Sequence, residues 1–125
     1  MAYYTFFELS TKDNKYKVSD IINYMNKRNK GDDCFYPFIY SFEDYEEDVS
    51  VTDFQLDADD VFKWYEHNGE MLELSEQFPE TVFCLSGKGE ESGDLWKSYY
   101  KNGKMQYCPA RIVFDEFDES KLKGD

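Results

Sequence analysis

The dipeptide Asn102-Gly103 constrains this chain more than any other feature, because of what flanks it. A two-residue hairpin turn needs positive φ at both central positions, and Asn and Gly adopt that conformation at the least steric cost. On either side, residues 95–101 and 105–114 carry Trp96, Tyr99, Tyr100, Tyr107, Ile112 and Val113, side chains that suit a pleated surface. The spacing therefore predicts two antiparallel strands joined at 102–103. A lone hairpin is marginal in water, so further strands or helices must cover one of its faces.

Those further elements are legible upstream. Residues 3–9 are aromatic and β-favouring, which predicts a first strand, and 10–15 are polar and turn-rich. Ser19 then reads as an N-cap for a helix that buries Ile21, Ile22 and Met25 and stops at Asn29-Lys30-Gly31-Asp32. Aromatics crowd 34–42 around Pro37, predicting an edge strand or a bulged one. Val49, Val51 and Phe54 suggest a short strand, and 61–65 another. From 69 to 77, Met71, Leu74 and Phe78 repeat at helical spacing, with Asn68 as a cap and Phe78-Pro79 as the stop. Asn68-Gly69 is also a hairpin signal, but nothing downstream alternates, so the helix is preferred. Residues 82–85 complete the strands, and the charged tail is expected to fray once Phe117 has packed. This order predicts one α+β domain over 1–125, an antiparallel sheet with two helices packed on one face.

The run Gly87-Lys88-Gly89-Glu90-Glu91-Ser92-Gly93-Asp94 looks at first like a phosphate loop. A P-loop needs its Lys after the last glycine and a helix next; here Lys88 precedes Gly89 and a strand follows. The dinucleotide pattern needs a third glycine where Ser92 stands, and Glu90, Glu91 and Asp94 would repel phosphate. The run is read as a turn between strands with its carboxylates in solvent.

Within 60–114 a longer pattern stands out: Leu74, Ser75, Phe78-Pro79, Phe83, Gly89-Glu90, Gly93, Trp96, Tyr99 and Asn102-Gly103-Lys104. A helix ending in Phe-Pro, a strand, a glycine/glutamate turn and an aromatic hairpin resemble the YubB ferredoxin-like proteins of phages and plasmids. The resemblance implies a ferredoxin-like sandwich and a mobile-element origin. It brings no catalytic residue with it, and fold alone licenses no activity.

Charge narrows the classes of partner. The formal net charge is −13, and between Lys30 and Lys63 there is no basic residue. Such a balance disfavours any direct contact with nucleic acid and with anionic membrane surfaces, and favours a Lys/Arg-lined protein surface. With 19% aromatic residues the chain has the apolar material for a core, so the acidity does not imply disorder. The segment 43–60 holds Glu43, Asp44, Glu46, Glu47, Asp48, Asp53, Asp57, Asp59 and Asp60, a row that would imitate the phosphates of DNA before a basic groove. The plainer alternative is a solvated acidic loop that serves solubility.

Other chemistries find little to use. Cys34, Cys84 and Cys108 are scattered and His67 is the only histidine, so no zinc set forms. Counting a calcium loop from Asp57 puts Phe62 and Asn68 where Gly and Glu are required. His67 is the only imidazole that could serve a Ser or Cys nucleophile as base, no nucleophile elbow is present, and Cys84 lies in an apolar strand. Tyr99, Tyr100 and Tyr107 would suit base stacking, but Lys97, Lys101, Lys104 and Arg111 are a small basic group on so acidic a chain. There is no leader-like start and no long apolar run.

The expectation is a cytoplasmic, non-enzymatic protein of a bacterial host's phage or mobile element, without cofactor or metal. It would inhibit a nucleic-acid-handling defence system (a CRISPR effector or a restriction nuclease) through its acidic row, as a monomer or small homo-oligomer. The alternative is an accessory protein with a protein or small-ligand contact on the sheet, at Trp64, Trp96 or Tyr99.

Overall fold

A computed structural model describes residues 3–28, 36–38, 54–58 and 63–124. Strand β1 (Thr5–Lys12) leads into helix α1 (Val18–Arg28). Strand β2 (Gln55–Asp57), helix α2 (His67–Gln77) and strands β3 (Val82–Gly89), β4 (Leu95–Lys101) and β5 (Lys104–Pro109) follow. The five strands form one antiparallel sheet in the order β2-β1-β3-β4-β5.

Alternation along β1 sets the two faces. Thr5, Phe7, Leu9 and Thr11 are buried, whereas Phe6, Glu8 and Ser10 are only partly covered and Lys12 is exposed. Register carries the same division across the sheet: Leu9 lies opposite Leu85 and Leu56, and Leu85 opposite Ser98. The inner face meets Val18, Ile21, Ile22 and Met25 of α1 and Met71 and Leu74 of α2 in one buried cluster. Both helices therefore lie on one side, and α2 packs over β3, β4 and β5.

The hairpin is as expected, with Asn102 at φ 47° and Gly103 at φ 76°. Several boundaries differ. β1 continues through Ser10 to Lys12, because Ser10, Thr11 and Lys12 pair with Cys84, Phe83 and Val82; the turn comes at Asp13, φ 55°. Helix α1 starts at Val18, so Ser19 lies in its first turn and is not its cap. The short middle strand begins after Phe54, whose N–H bonds the Thr11 hydroxyl, while Val49 and Val51 lie outside the described residues. Of the strand expected at 34–42, Tyr36, Pro37 and Phe38 are described: Pro37-Phe38 form a turn, and all three are buried.

The strand expected at 61–65 is replaced, in its described part, by the turn Tyr65-Glu66 leading into α2. Trp64 drops into the core there, and that burial outweighs its β propensity. Helix α2 thus starts at His67, with Glu66 at its N-cap and no side-chain cap. Asn68, the expected cap, instead accepts a hydrogen bond from the Tyr100 hydroxyl at 2.6 Å.

The glycine run divides in two. Gly87-Lys88-Gly89 belong to β3, opposite Phe7, Phe6 and Thr5, and the turn covers only Glu90 to Asp94, with Gly93 at φ 89°. Its carboxylates are not all in solvent: Asp94 accepts from the Tyr3 hydroxyl and Glu90 from the Tyr4 N–H. β5 stops at Pro109, short of the expected 114. Its partner β4 begins at Leu95, whose carbonyl takes the Ala110 N–H, so later residues have no strand to pair with. Phe117, expected to pack, is 79% exposed.

Candidate functional site

The outer face of the sheet carries no helix among the described residues, and a trough of about 690 Å³ runs across it. Strand alternation assigns the residues that face outward. Phe6, Glu8, Ser10 and Lys12 come from β1, Ser86 and Lys88 from β3, Leu95, Lys97, Tyr99 and Lys101 from β4, and Lys104 and Cys108 from β5. Ser10 and Ser86 are small side chains in its floor, and the Glu8 carboxylate lies beside them, opposite Ser86. Phe6 stands at one end beside Lys88, and Tyr99 at the other with the Lys12 ammonium 5.5 Å from its ring centre.

The face is basic on an acidic protein. Lys12, Lys88, Lys97, Lys101 and Lys104 occupy outward strand positions and are exposed, and the carboxylates on such positions are Glu8 and Asp57. Composition hides this, because net charge sums over all surfaces while a ligand meets one of them.

A second cluster sits on the inner face at the start of α2. Trp64 is 7% exposed and packs edge-on against Phe7 (5.2 Å between ring centres), Tyr36 and Phe38. Its indole N–H donates to Glu70 Oε2 at 2.7 Å. The His67 ring stacks on Trp96 at 4.9 Å and 20°, and its Nδ1 lies 2.7 Å from the Trp64 carbonyl. A carbonyl only accepts, so the proton belongs on Nδ1. This cluster fastens α2 to the sheet. Neither Glu70 nor His67 lines the trough.

Glu70 is the one carboxyl here held far from its ordinary range, pushed up to about 7 chiefly by burial, with the Trp64 N–H pulling the other way. The folded protein holds this proton more tightly than the unfolded chain, so stability is lost as pH rises from about 4.5 to 7. Partial solvent access reduces the effect to about 1–2 kcal/mol. Glu70→Gln keeps an acceptor for Trp64 and should flatten the fall; urea unfolding of both proteins at pH 5 and pH 8 measures it. Parallel pH profiles would refute the assignment.

The anticipated contact residues are dispersed. Trp64 is core, Trp96 is half-buried between His67 and the trough's end, and Tyr99 faces outward. Trp64 and Tyr99 therefore serve opposite sides of the sheet. Of the acidic row, Asp57 lies on β2, where its Oδ1 accepts from the Gln55 side chain at 2.8 Å. Glu43, Asp44, Glu46, Glu47, Asp48, Asp53, Asp59 and Asp60 lie outside the described residues, as do Cys34, Val61 and Phe62. Sequence reasoning missed Phe6, Lys12 and Lys88 as site residues. The signal was present in β1, whose alternate positions Phe6, Glu8, Ser10 and Lys12 turn polar while Phe7 and Leu9 stay apolar.

Among the described residues no group of three or more His, Cys, Asp or Glu side chains is placed to hold a metal ion. No helix among them is long and apolar enough to cross a membrane. A scan against protein-family models and searches of curated proteins and of solved structures each found no match.

Proposed function

We propose that this chain works by binding a macromolecular partner through the helix-free face of its sheet, without chemistry of its own. The observation that carries this is the coincidence on one face of a trough, two rings at its ends and five lysines. An antiparallel sheet commonly leaves one face in water, where side chains are polar; here the face that no helix among the described residues covers carries rings and a trough, a common form of binding surface. A ferredoxin-like assignment and a phage or mobile-element origin belong to the same proposal. They are supported by the antiparallel sheet with two helices on one side and by the resemblance across 60–114.

A second reading rests on a separate observation, the interval from Gly31 to Phe62 without a cation. In it the row Glu43 to Asp60 occupies the basic groove of a CRISPR effector or restriction nuclease in place of DNA, and the sheet only displays it.

One experiment separates the two. Wild type, a face variant (Lys88→Glu, Lys97→Glu, Tyr99→Ala) and an acidic-row variant (Glu46→Gln, Glu47→Gln, Asp48→Asn) are immobilised at equal loading and exposed to bacterial lysate. The face reading expects the bound material to disappear from the face variant and to stay on the acidic-row variant. The reverse pattern assigns the contact to the acidic row. Retention by both variants would overturn both readings.

A further inference from the structure

We propose that the ligand of the helix-free face is single-stranded nucleic acid, held with its bases on Phe6 and Tyr99 and its phosphates along the lysines. This rests on the reading that the open face is the contact surface, and it names the chemistry of the partner.

Geometry carries it. Phe6 and Tyr99 lie two strands apart and four residues apart along the strands, a diagonal of about 17 Å at ordinary sheet spacings. That span falls inside single-strand footprints of roughly four to sixteen nucleotides. Between the rings the lining is Ser10 and Ser86, with Glu8 opposite Ser86 on one side and Lys97 on the other. Cations follow the same diagonal. Lys88 stands beside Phe6, Lys97 pairs with Ser86 in the middle, and Lys12 sits at the Tyr99 ring. Alternating rings and ammonium groups match a strand that presents a base and a phosphate at each step.

Net charge argued for the opposite, and the sheet register explains why it misleads. A duplex is long, stiff and closed at its bases, so it would bring phosphates over acidic surfaces while offering no exposed base to Phe6 or Tyr99. A short single strand touches the lysine diagonal and meets one carboxylate in the trough, Glu8, which Lys97 faces across Ser86. The preference for single over double strands is therefore a consequence of the arrangement.

Fluorescence anisotropy with labelled oligomers of about eight nucleotides tests it, using dT, rU and a duplex of equal length. The expected result is that a single strand binds at least about tenfold more tightly than the duplex, and dT against rU tells whether DNA or RNA is preferred. Binding should weaken as salt rises from about 50 to 200 mM, with a log–log slope that loses about 0.7 for each of Lys88→Gln and Lys97→Gln. Tyr99→Ala should cost about tenfold with the slope unchanged, and Tyr99→Phe should restore affinity because a ring is present. Equal affinity for duplex, indifference to Tyr99→Ala, or no binding at low salt overturns the proposal. If no oligomer binds yet the face variant still loses its captured material, the ligand class is wrong and the contact surface stands. If the face variant loses nothing either, both fall.

Discussion

Trp64→Ala should lower the free energy of unfolding by about 3–5 kcal/mol, read as a drop in urea midpoint at nearly constant slope. The indole is 7% exposed and is the shared neighbour of Phe7, Tyr36, Phe38 and His67. Truncation opens a cavity that four rings on three different segments cannot jointly close. It also strips Glu70 of the indole N–H, the bond that opposes the upward push of burial on that carboxyl. The loss should therefore be larger at pH 8 than at pH 5, a signature that simple loss of packing lacks. Against a total of about 5–15 kcal/mol for a domain of ordinary stability, this is a large share. Tyr99→Ala, on the outer face, should cost no more than about 1 kcal/mol. If the two substitutions cost the same, the division of the sheet into a core face and a contact face is wrong.

Gly87→Ala should cost about 2–3 kcal/mol, although it adds a single methyl group. Gly87 needs no unusual φ; its requirement is space. A Cβ there would overlap Trp96 at Cε2, Cζ2 and Nε1, because the indole lies directly over the Gly87 backbone. Trp96 has little freedom to give way, with His67 stacked on it and Phe7 edge-on at 6.2 Å. The strain must therefore spread into the His67 stack or into β3 itself. A double-mutant cycle isolates the cause: with Trp96→Ala already in place, Gly87→Ala should cost less than about 0.5 kcal/mol. An undiminished cost in that background would place the penalty in the strand and not in the ring.

How far the fold was legible depended on whether local chemistry and tertiary demand agreed. At Asn102-Gly103 they agree, since the turn needs positive φ and the residues supply it. The same holds for α1 and for the 71, 74, 78 spacing of α2, where helical period and buried positions coincide. They diverge at 61–65, where a β-favouring string gives up its pairing at Trp64 because the indole finds four rings and a carboxylate in the core. They diverge again at 110–114. Ile112, Val113 and Phe114 favour strand, yet β4 is too short to offer them a partner, and all three are exposed. Propensity describes what a residue tolerates; pairing needs a neighbour at the right register, and no local window contains one.

The site followed the same rule. Aromatic residues were singled out because they are large and adaptable, but size does not say which face of a strand a ring takes. Trp64 became core and Tyr99 became surface through a parity fixed by pairing. The lysines were visible one by one and appeared minor on a chain of net charge −13. What the sequence determined alone was the hairpin and the helical stripes, since each rests on contacts within a few residues, and from the order of those elements an antiparallel α+β plan. Only the tertiary structure gathered Lys12, Lys88, Lys97, Lys101 and Lys104 onto one open face, because registers across β1, β3, β4 and β5 bring together residues up to 92 positions apart.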